Sequence, residues 1–180
     1  MIEKKIIKNL NLWLKENTQL HIQVISLVKF EIGQSNPTYI IKSDKKNYVL
    51  RSKPKGSLLK GAHRIDREYK VMHSLRHSKI PVPKMYGYCK DSEIIGSEFY
   101  IMDFVEGNHE VDPFLKHYNN VQREKIYDHK IDILIELASV DIKQLGLEEF
   151  GRPLGYLERQ TKLWISQYRA SQTKEIESME

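Results

Sequence analysis

Cysteine is nearly absent from this 180-residue sequence, which contains only Cys89. A single cysteine forms no disulfide within the chain, so we expect the cytoplasm or another reducing intracellular compartment. No apolar run approaches the roughly 18 residues of a membrane span. The N-terminus lacks the apolar stretch of a signal peptide. These absences predict a protein with no disulfide framework and no membrane partner.

The residues that are present have the composition of one globular domain. Apolar residues make up 40% of the chain, charged residues 29% and aromatic residues 9%, which argues against disorder. Positive charge is concentrated in residues 1–60, which carry 12 Lys or Arg against 4 Asp or Glu. This segment indicates either an anionic partner or a lysine-rich solvated edge. No nucleic-acid motif accompanies it, so we expect no nucleic-acid partner.

The periodicity of apolar residues predicts a helix, three strands, a second helix, two strands and further helices. Helical spacing occurs at residues 3–16 and 61–77. Strand patterns occur at residues 22–32, 38–41, 48–51, 85–89 and 99–102. Longer helical patterns begin near Val121 and Tyr156. We therefore expect an α+β fold built on an antiparallel sheet.

Glu68 is the most informative single side chain. Helical spacing places it on the inward face of its helix, between Ile65 and Met72. A carboxylate is costly there unless it is paired or hydrogen-bonded. Arg51 at the end of the preceding strand is the nearest suitable cation, and Val49 shares its sheet face. The sequence predicts an Arg51–Glu68 ion pair, although a glutamate at the helix edge that reaches water would fit the same pattern.

A polar, uncharged turn separates the first two predicted strands. It begins at Gly33, and its backbone N–H groups, the Ser35 hydroxyl and the Asn36 amide can be directed at phosphate oxygens. A single glycine-containing turn is usually only a turn. Its position before a strand cation, a helix carboxylate and a strand that ends at a hinge is the order found in the ATP-binding half of a kinase fold.

Several stretches in this order resemble the aminoglycoside-phosphotransferase type of kinase. The likeness is closest to the kinase-like N-terminal region of acyl-CoA dehydrogenase family members of the ten and eleven type and their free-standing bacterial relatives. The stretches are residues 33–39, 49–54, 66–69, 82–83, 99–107 and 168–171. The resemblance implies a protein-kinase-like N-lobe over residues 1–105, with a five-stranded antiparallel sheet and one packed helix at 61–77. Residues 106–180 would begin an α-helical C-lobe.

The resemblance also implies a nucleotide site. Its residues are Gly33, Ser35, Asn36, Val49, Arg51, Glu68, Met102, Asp103 and Val105. Arg51 stands where protein kinases carry a lysine that contacts the nucleotide phosphates, and Glu68 is its helix partner. Asp103 and Val105 are hinge positions whose backbone groups read the base. The implied cofactor is ATP or GTP with Mg²⁺, and the implied acceptor is a hydroxyl group of a small molecule.

The family's His-Gly-Asp catalytic loop does not occur in this sequence. Phosphoryl transfer needs a carboxylate near the attacking hydroxyl and ligands for Mg²⁺. We therefore expect no catalytic or metal-binding residues in this chain. The His73–His77 pair has no third ligand at a usual spacing.

The favoured hypothesis is the N-terminal part of an ATP-dependent small-molecule phosphotransferase that is inactive as an isolated chain. One alternative is a non-catalytic, pseudokinase-like chain that binds nucleotide or a partner. Another is a basic interaction module with no nucleotide role. Under the favoured hypothesis, the helices of residues 121–170 should expose apolar faces that the missing C-lobe or a partner covers.

Overall fold

The computed structural model describes residues 2–30, 35–56, 63–152 and 154–173. The helices are α1 (Ile2–Asn17), α2 (Ile65–Leu75), α3 (Asn120–Ala138) and α4 (Tyr156–Ser171). The strands are β1 (Val24–Lys29), β2 (Thr38–Ser43), β3 (Tyr48–Ser52), β4 (Met85–Cys89) and β5 (Phe99–Asp103). A 3-10 turn at Glu148–Phe150 precedes α4. The order of these elements confirms the predicted α+β class.

The five strands form one antiparallel sheet in the order β1-β2-β3-β5-β4. The first three strands follow one another as hairpins, as the two polar turns of the sequence predict. β5 then inserts beside β3, so that Arg51 lies opposite Tyr100 and β4 is left at the edge. The predicted five-stranded antiparallel sheet is confirmed. Its strand order places Arg51 beside Tyr100, although the two residues are far apart in the sequence.

The helix α1 covers one face of this sheet. Leu10 and Leu14 are fully buried, and the ring of Trp13 meets that of Phe99 edge to face with centroids 4.9 Å apart. Gly87 on β4 allows this approach, because a Cβ atom there would lie 3.0 Å from the Trp13 ring. The sequence predicts a helix at these positions without placing it. The packing of α1 is therefore an addition to the expected sheet with one helix.

The helix α2 covers the opposite face with a smaller apolar cluster. Ile65 and Tyr100 are each 1% exposed, and Tyr69 packs against them. Side chains alternate along a strand, so Leu50 of β3 faces α1, whereas Arg51 faces α2. The central strand thus contributes an apolar residue to one face and a cation to the other.

The chain divides into two compact units, Met1–Asp141 and Ile142–Glu180. In the first unit α3 begins with a capping box, in which the side chains of Asn119 and Gln122 each accept the backbone N–H of the other residue. In the second unit α4 is the longest element. The lobe boundary near residue 105 that the resemblance implies stays a prediction. No helix in the described ranges is both long enough and apolar enough to cross a membrane.

The helices α3 and α4 each expose apolar side chains. On α3, Leu134 is 62% exposed and Ile135 is 58% exposed. On α4, Leu157 is 79% exposed and Trp164 is 66% exposed. Neither helix has a buried residue in the described part of the chain. The expected exposure of apolar faces beyond residue 121 is therefore confirmed.

Two leucines of α1 provide a matched test of the core. Leu10 is fully buried, whereas Leu12 is 55% exposed on the same helix. We expect Leu10→Ala to lower the free energy of unfolding by about 2–5 kcal/mol, because it removes buried methyl groups and leaves a cavity. Leu12→Ala should change it by less than about 0.5 kcal/mol. Urea unfolding followed by circular dichroism measures both, and equal losses would contradict the packing of α1.

Candidate functional site

The candidate site lies on the α2 face of the sheet, where a row of polar side chains crosses three strands. Thr38 on β2 lies opposite Arg51 on β3, which lies opposite Tyr100 on β5. Glu68 reaches this row from the first turn of α2, and its Oε2 atom lies 2.9 Å from Arg51 Nε. The ion pair predicted from helical spacing is therefore present in the structure.

The Glu68 carboxylate has partners on both of its oxygen atoms. The Tyr100 hydroxyl donates to Oε2 at 2.9 Å, and the Asn36 side-chain amide donates to Oε1 at 2.9 Å. The side chain of Glu68 is 36% exposed and that of Arg51 is 31% exposed. Two hydrogen bonds and one ion pair hold the carboxylate in a single position, and they compensate for its partial loss of water.

Tyr100 is a site residue that the sequence did not reveal. It is 1% exposed. Burial, followed by the negative charge of Glu68 beside it, raises the pKa of its hydroxyl above the ordinary value. The phenol is therefore protonated at neutral pH and donates its proton to the carboxylate. Its position opposite Arg51 depends on the insertion of β5 beside β3, which no local pattern in the sequence indicates.

Asn36 has a partner that the sequence did not indicate. It is 6% exposed, its amide nitrogen donates to Glu68, and its Oδ1 atom lies 2.9 Å from His63 Nδ1. The side chain thus ties the turn before β2 to α2, and its amide donates to the Glu68 carboxylate, whereas the sequence suggested that it could be directed at phosphate oxygens. Ser35 beside it is exposed, and Gly33 lies outside the described residues.

The Arg51 guanidinium retains hydrogen-bonding capacity. A guanidinium carries five N–H donors. Within the described ranges it makes one hydrogen bond, from Nη1 to the Thr38 hydroxyl at 3.3 Å. Its contact with Glu68 is electrostatic, because the Nε–H is not aligned with the carboxylate oxygen. A cation oriented in this way has donors left for an anionic ligand on the same face.

An apolar surface continues from Arg51 along the same face of the sheet. Val49 is 6% exposed and lies opposite Met102 on β5. After β5 the chain leaves the sheet, and Val105 is 70% exposed. The described residues contain no backbone partner for the Val105 N–H. The structure therefore places a small apolar wall next to an exposed segment of backbone.

The side chain of Asp103 faces away from this wall. Its Oδ1 atom accepts hydrogen bonds from Lys46 Nζ at 2.8 Å and from the Tyr86 hydroxyl at 2.7 Å. Its backbone N–H donates to the Lys84 carbonyl at 2.9 Å. These contacts fix the end of β5 where the predicted hinge begins. Any role of Asp103 at a ligand is thereby restricted to its backbone carbonyl.

The described residues contain no group of three or more His, Cys, Asp or Glu side chains that could hold a metal ion. His73, one of the paired histidines, stacks on the Tyr69 ring with centroids 5.4 Å apart. Burial, then the charge of Arg76, lowers the pKa of His73 below its ordinary value. This histidine therefore packs against the preceding turn of its own helix.

Comparison with known proteins places the chain among phosphotransferases. A family model described as the phosphotransferase enzyme family matches residues 26–180. Acyl-CoA dehydrogenase family member 10 of Mus musculus is 41% identical over 156 residues, which are 87% of this chain and 15% of that protein. Probable acyl-CoA dehydrogenase IBR3 of Arabidopsis thaliana is 44% identical over 148 residues, which are 79% of this chain and 18% of that protein.

One solved protein structure is also similar to this chain. It is a crystal structure of a protein assigned as an aminoglycoside phosphotransferase from Ralstonia eutropha, with a TM-score of 0.75 and 35% sequence identity. The match covers 96% of this chain and 50% of that one. The chain thus spans half of the solved protein and a fifth or less of the two curated relatives. The predicted resemblance and the kinase-like fold are both confirmed.

The coupling between Arg51 and Glu68 can be measured with a double-mutant cycle. We expect Arg51→Ala and Glu68→Ala to show an interaction energy of about 1–2 kcal/mol in urea unfolding, because the two side chains are partly buried and form an ion pair at 2.9 Å.

The matched control is the exposed ion pair between Lys162 and Glu158 on α4, whose atoms lie 2.6 Å apart. That pair should show less than about 0.5 kcal/mol, because water screens it. Additive effects of the two site substitutions would contradict the network.

Proposed function

Because the chain belongs to the phosphotransferase enzyme family, we propose that it is the nucleotide-binding, N-terminal part of an ATP-dependent small-molecule kinase. Such a kinase transfers the γ-phosphate of ATP to a hydroxyl group of its substrate. The observation that carries the proposal is the Arg51 guanidinium, which the Glu68 carboxylate orients on a sheet face next to an apolar wall. This arrangement pairs a fixed positive charge with a surface suited to a flat base.

In this proposal Arg51 contacts the phosphates of the nucleotide. A guanidinium offers several donors in a planar fork and makes strong, charge-assisted hydrogen bonds to phosphate oxygens. Glu68 holds the guanidinium in position, and Asn36 and Tyr100 in turn hold Glu68. The exposed Ser35 hydroxyl supplies a further donor near the phosphates. In this proposal Arg51 and Ser35 contact the nucleotide, the other three residues hold Arg51 in position, and none of them takes part in the bond-breaking step.

The base of ATP or GTP would lie against Val49 and Met102. Both are apolar and belong to the face that carries Arg51. The backbone carbonyl of Asp103 and the backbone N–H of Val105 would hydrogen-bond the edge of the base. The fit is supported by the fixed Asp103 side chain and the exposed Val105 segment.

The chemical step needs groups that this chain does not supply. Mg²⁺ would neutralise the phosphates, and a carboxylate would orient the attacking hydroxyl. No three-residue metal cluster lies within the described ranges, and no His-Gly-Asp sequence occurs in the chain. We therefore derive no transfer step from these residues. In this proposal the isolated chain binds nucleotide without transferring phosphate.

The missing groups would come from the rest of a phosphotransferase domain, on the same polypeptide or on a separate one. The chain covers 50% of the solved relative. The exposed apolar residues of α3, and separately those of α4, are surfaces that such a C-lobe would cover. The acceptor hydroxyl would be bound there. A non-catalytic nucleotide-binding role is the second candidate, because the Arg51–Glu68 ion pair is present whereas the His-Gly-Asp sequence of the catalytic loop is not.

Nucleotide binding tests the first part of the proposal. In titration calorimetry with ATP and Mg²⁺ we expect binding to the purified chain, and Arg51→Ala should weaken it about tenfold or more, because a charge-assisted contact is lost. Lys45→Ala is the control, since it removes the same charge from the exposed turn between β2 and β3. Equal affinity of the wild type and both variants would contradict the assignment of Arg51.

Turnover tests the second part. The purified chain should neither hydrolyse ATP nor phosphorylate an added alcohol, because its sequence lacks the His-Gly-Asp loop whose carboxylate would orient the nucleophile. Phosphate release is measured alongside the Arg51→Ala variant, which shows the level due to contaminants. Turnover that copurifies with the wild-type chain and disappears in the variant would show that the chain is a complete catalyst.

A further inference from the structure

A cavity of about 270 Å³ lies on the α1 face of the sheet, on the side opposite Arg51. Its apolar walls come from α1, β1, β2, β3 and the turn before β5; they are Ile6, Leu27, Tyr39, Leu50 and Ile95. Engineered apolar cavities of about 150 Å³ hold benzene, so this volume is sufficient for a hydrocarbon chain of several carbons.

The apolar walls of the cavity remain accessible from outside. Leu50 is fully buried, whereas Leu27, Tyr39 and Ile95 are only partly buried and pack around the edge of the main core. The cavity is thus an open extension of that core. Filling it with hydrocarbon would remove apolar surface from water, which favours binding.

One end of the cavity is positively charged. Lys53, Lys55 and Ser97 line it, and the same three residues line a neighbouring hollow of about 490 Å³. Lys90 and Ser92 also line this hollow. The two spaces therefore adjoin at a pair of lysines. The apolar cavity therefore ends at lysine ammonium groups and a serine hydroxyl.

The positive charge of this end is only partly compensated. Among the described residues, Glu98 is the one acidic residue that lines either space, and its Oε1 atom lies 3.5 Å from Lys53 Nζ. Its Oε2 atom accepts a hydrogen bond from the Tyr88 hydroxyl. Lys55 lies against Gly96, where a Cβ atom would come within 2.7 Å of Lys55 Nζ. Glycine at this position, with φ of +93°, leaves room for the amine.

From these observations we propose that the cavity and its lysines form a second binding site, for a single-chain anionic amphiphile. The hydrocarbon chain lies in the cavity, and its carboxylate or phosphate lies between Lys53 and Lys55. Charge complementarity favours an anionic head over a neutral one. The site is independent of the proposed nucleotide site, because Leu50 and Arg51 point to opposite faces of β3.

The site is tested by nuclear magnetic resonance titration of the chain with decanoate and decyl phosphate, each below its critical micelle concentration, and with decanol below its solubility limit. We expect decanoate and decyl phosphate to shift the amide signals of Leu27, Tyr39 and Ile95 in a saturable manner. Decanol should bind at least about tenfold more weakly, because it lacks the charge. The tighter of the two anions identifies the head group.

Two variants separate the charged end of the site from its apolar end. Lys55→Glu, at an exposed position, should weaken decanoate binding about tenfold or more, because it replaces an attractive charge with a repulsive one. Lys45→Glu makes the same charge change at the far end of β3 and should leave the affinity unchanged. Leu27→Gln, on the partly exposed edge strand, should weaken decanoate and decyl phosphate together.

Three results would overturn the proposal: no saturable shifts with either anion, equal binding of decanol and decanoate, or equal loss with Lys55→Glu and Lys45→Glu. Arg51→Ala should bind decanoate like the wild type. Loss of decanoate binding in that variant would show that the amphiphile occupies the α2 face instead. Because the nucleotide titration uses a different ligand and a different face, either proposal can fail without the other.

Discussion

The position of the Glu68 carboxylate is the constraint on which the α2 face depends. A partly buried carboxylate is stable only if its oxygens are satisfied, and here Arg51, Tyr100 and Asn36 satisfy them from a strand, a second strand and a turn. Each partner belongs to a different segment of the chain. The carboxylate therefore fixes four segments relative to one another: the turn before β2, β3, β5 and α2. Loss of any one of these three partners would leave the negative charge of Glu68 less well compensated.

The two faces of the sheet differ because their helices bring different residues to them. The α1 face contains the larger apolar core, in which Trp13 packs on Phe99, and lysines lie at its edge. The α2 face has a smaller apolar cluster and a polar row that begins at Arg51. A stable scaffold on one side allows partly exposed polar groups to be held on the other. The sheet thus separates the residues that stabilise the lobe from those available to a ligand.

Much of this arrangement could be predicted from local sequence patterns. Helical spacing placed Glu68 on an inward face, and strand alternation placed Val49 and Arg51 together, because both patterns depend only on nearby residues. The partners Tyr100 and Asn36 could not be predicted in this way. Tyr100 reaches Glu68 only because β5 inserts beside β3, and the Asn36 side chain depends on how its turn folds back toward α2. The packing of α1 on the sheet could not be predicted for the same reason, since helical spacing identifies an amphipathic helix but not the surface that it covers.

The alternation along β3 has a mechanical consequence. Leu50 and Arg51 are adjacent residues of one central strand that is hydrogen-bonded on both sides, so their backbone positions cannot change independently. A shift of the strand that widens the space beside Leu50 also moves the guanidinium on the other face. The backbone of β3 therefore holds the wall of the cavity on the α1 face and the cation on the α2 face at a fixed spacing.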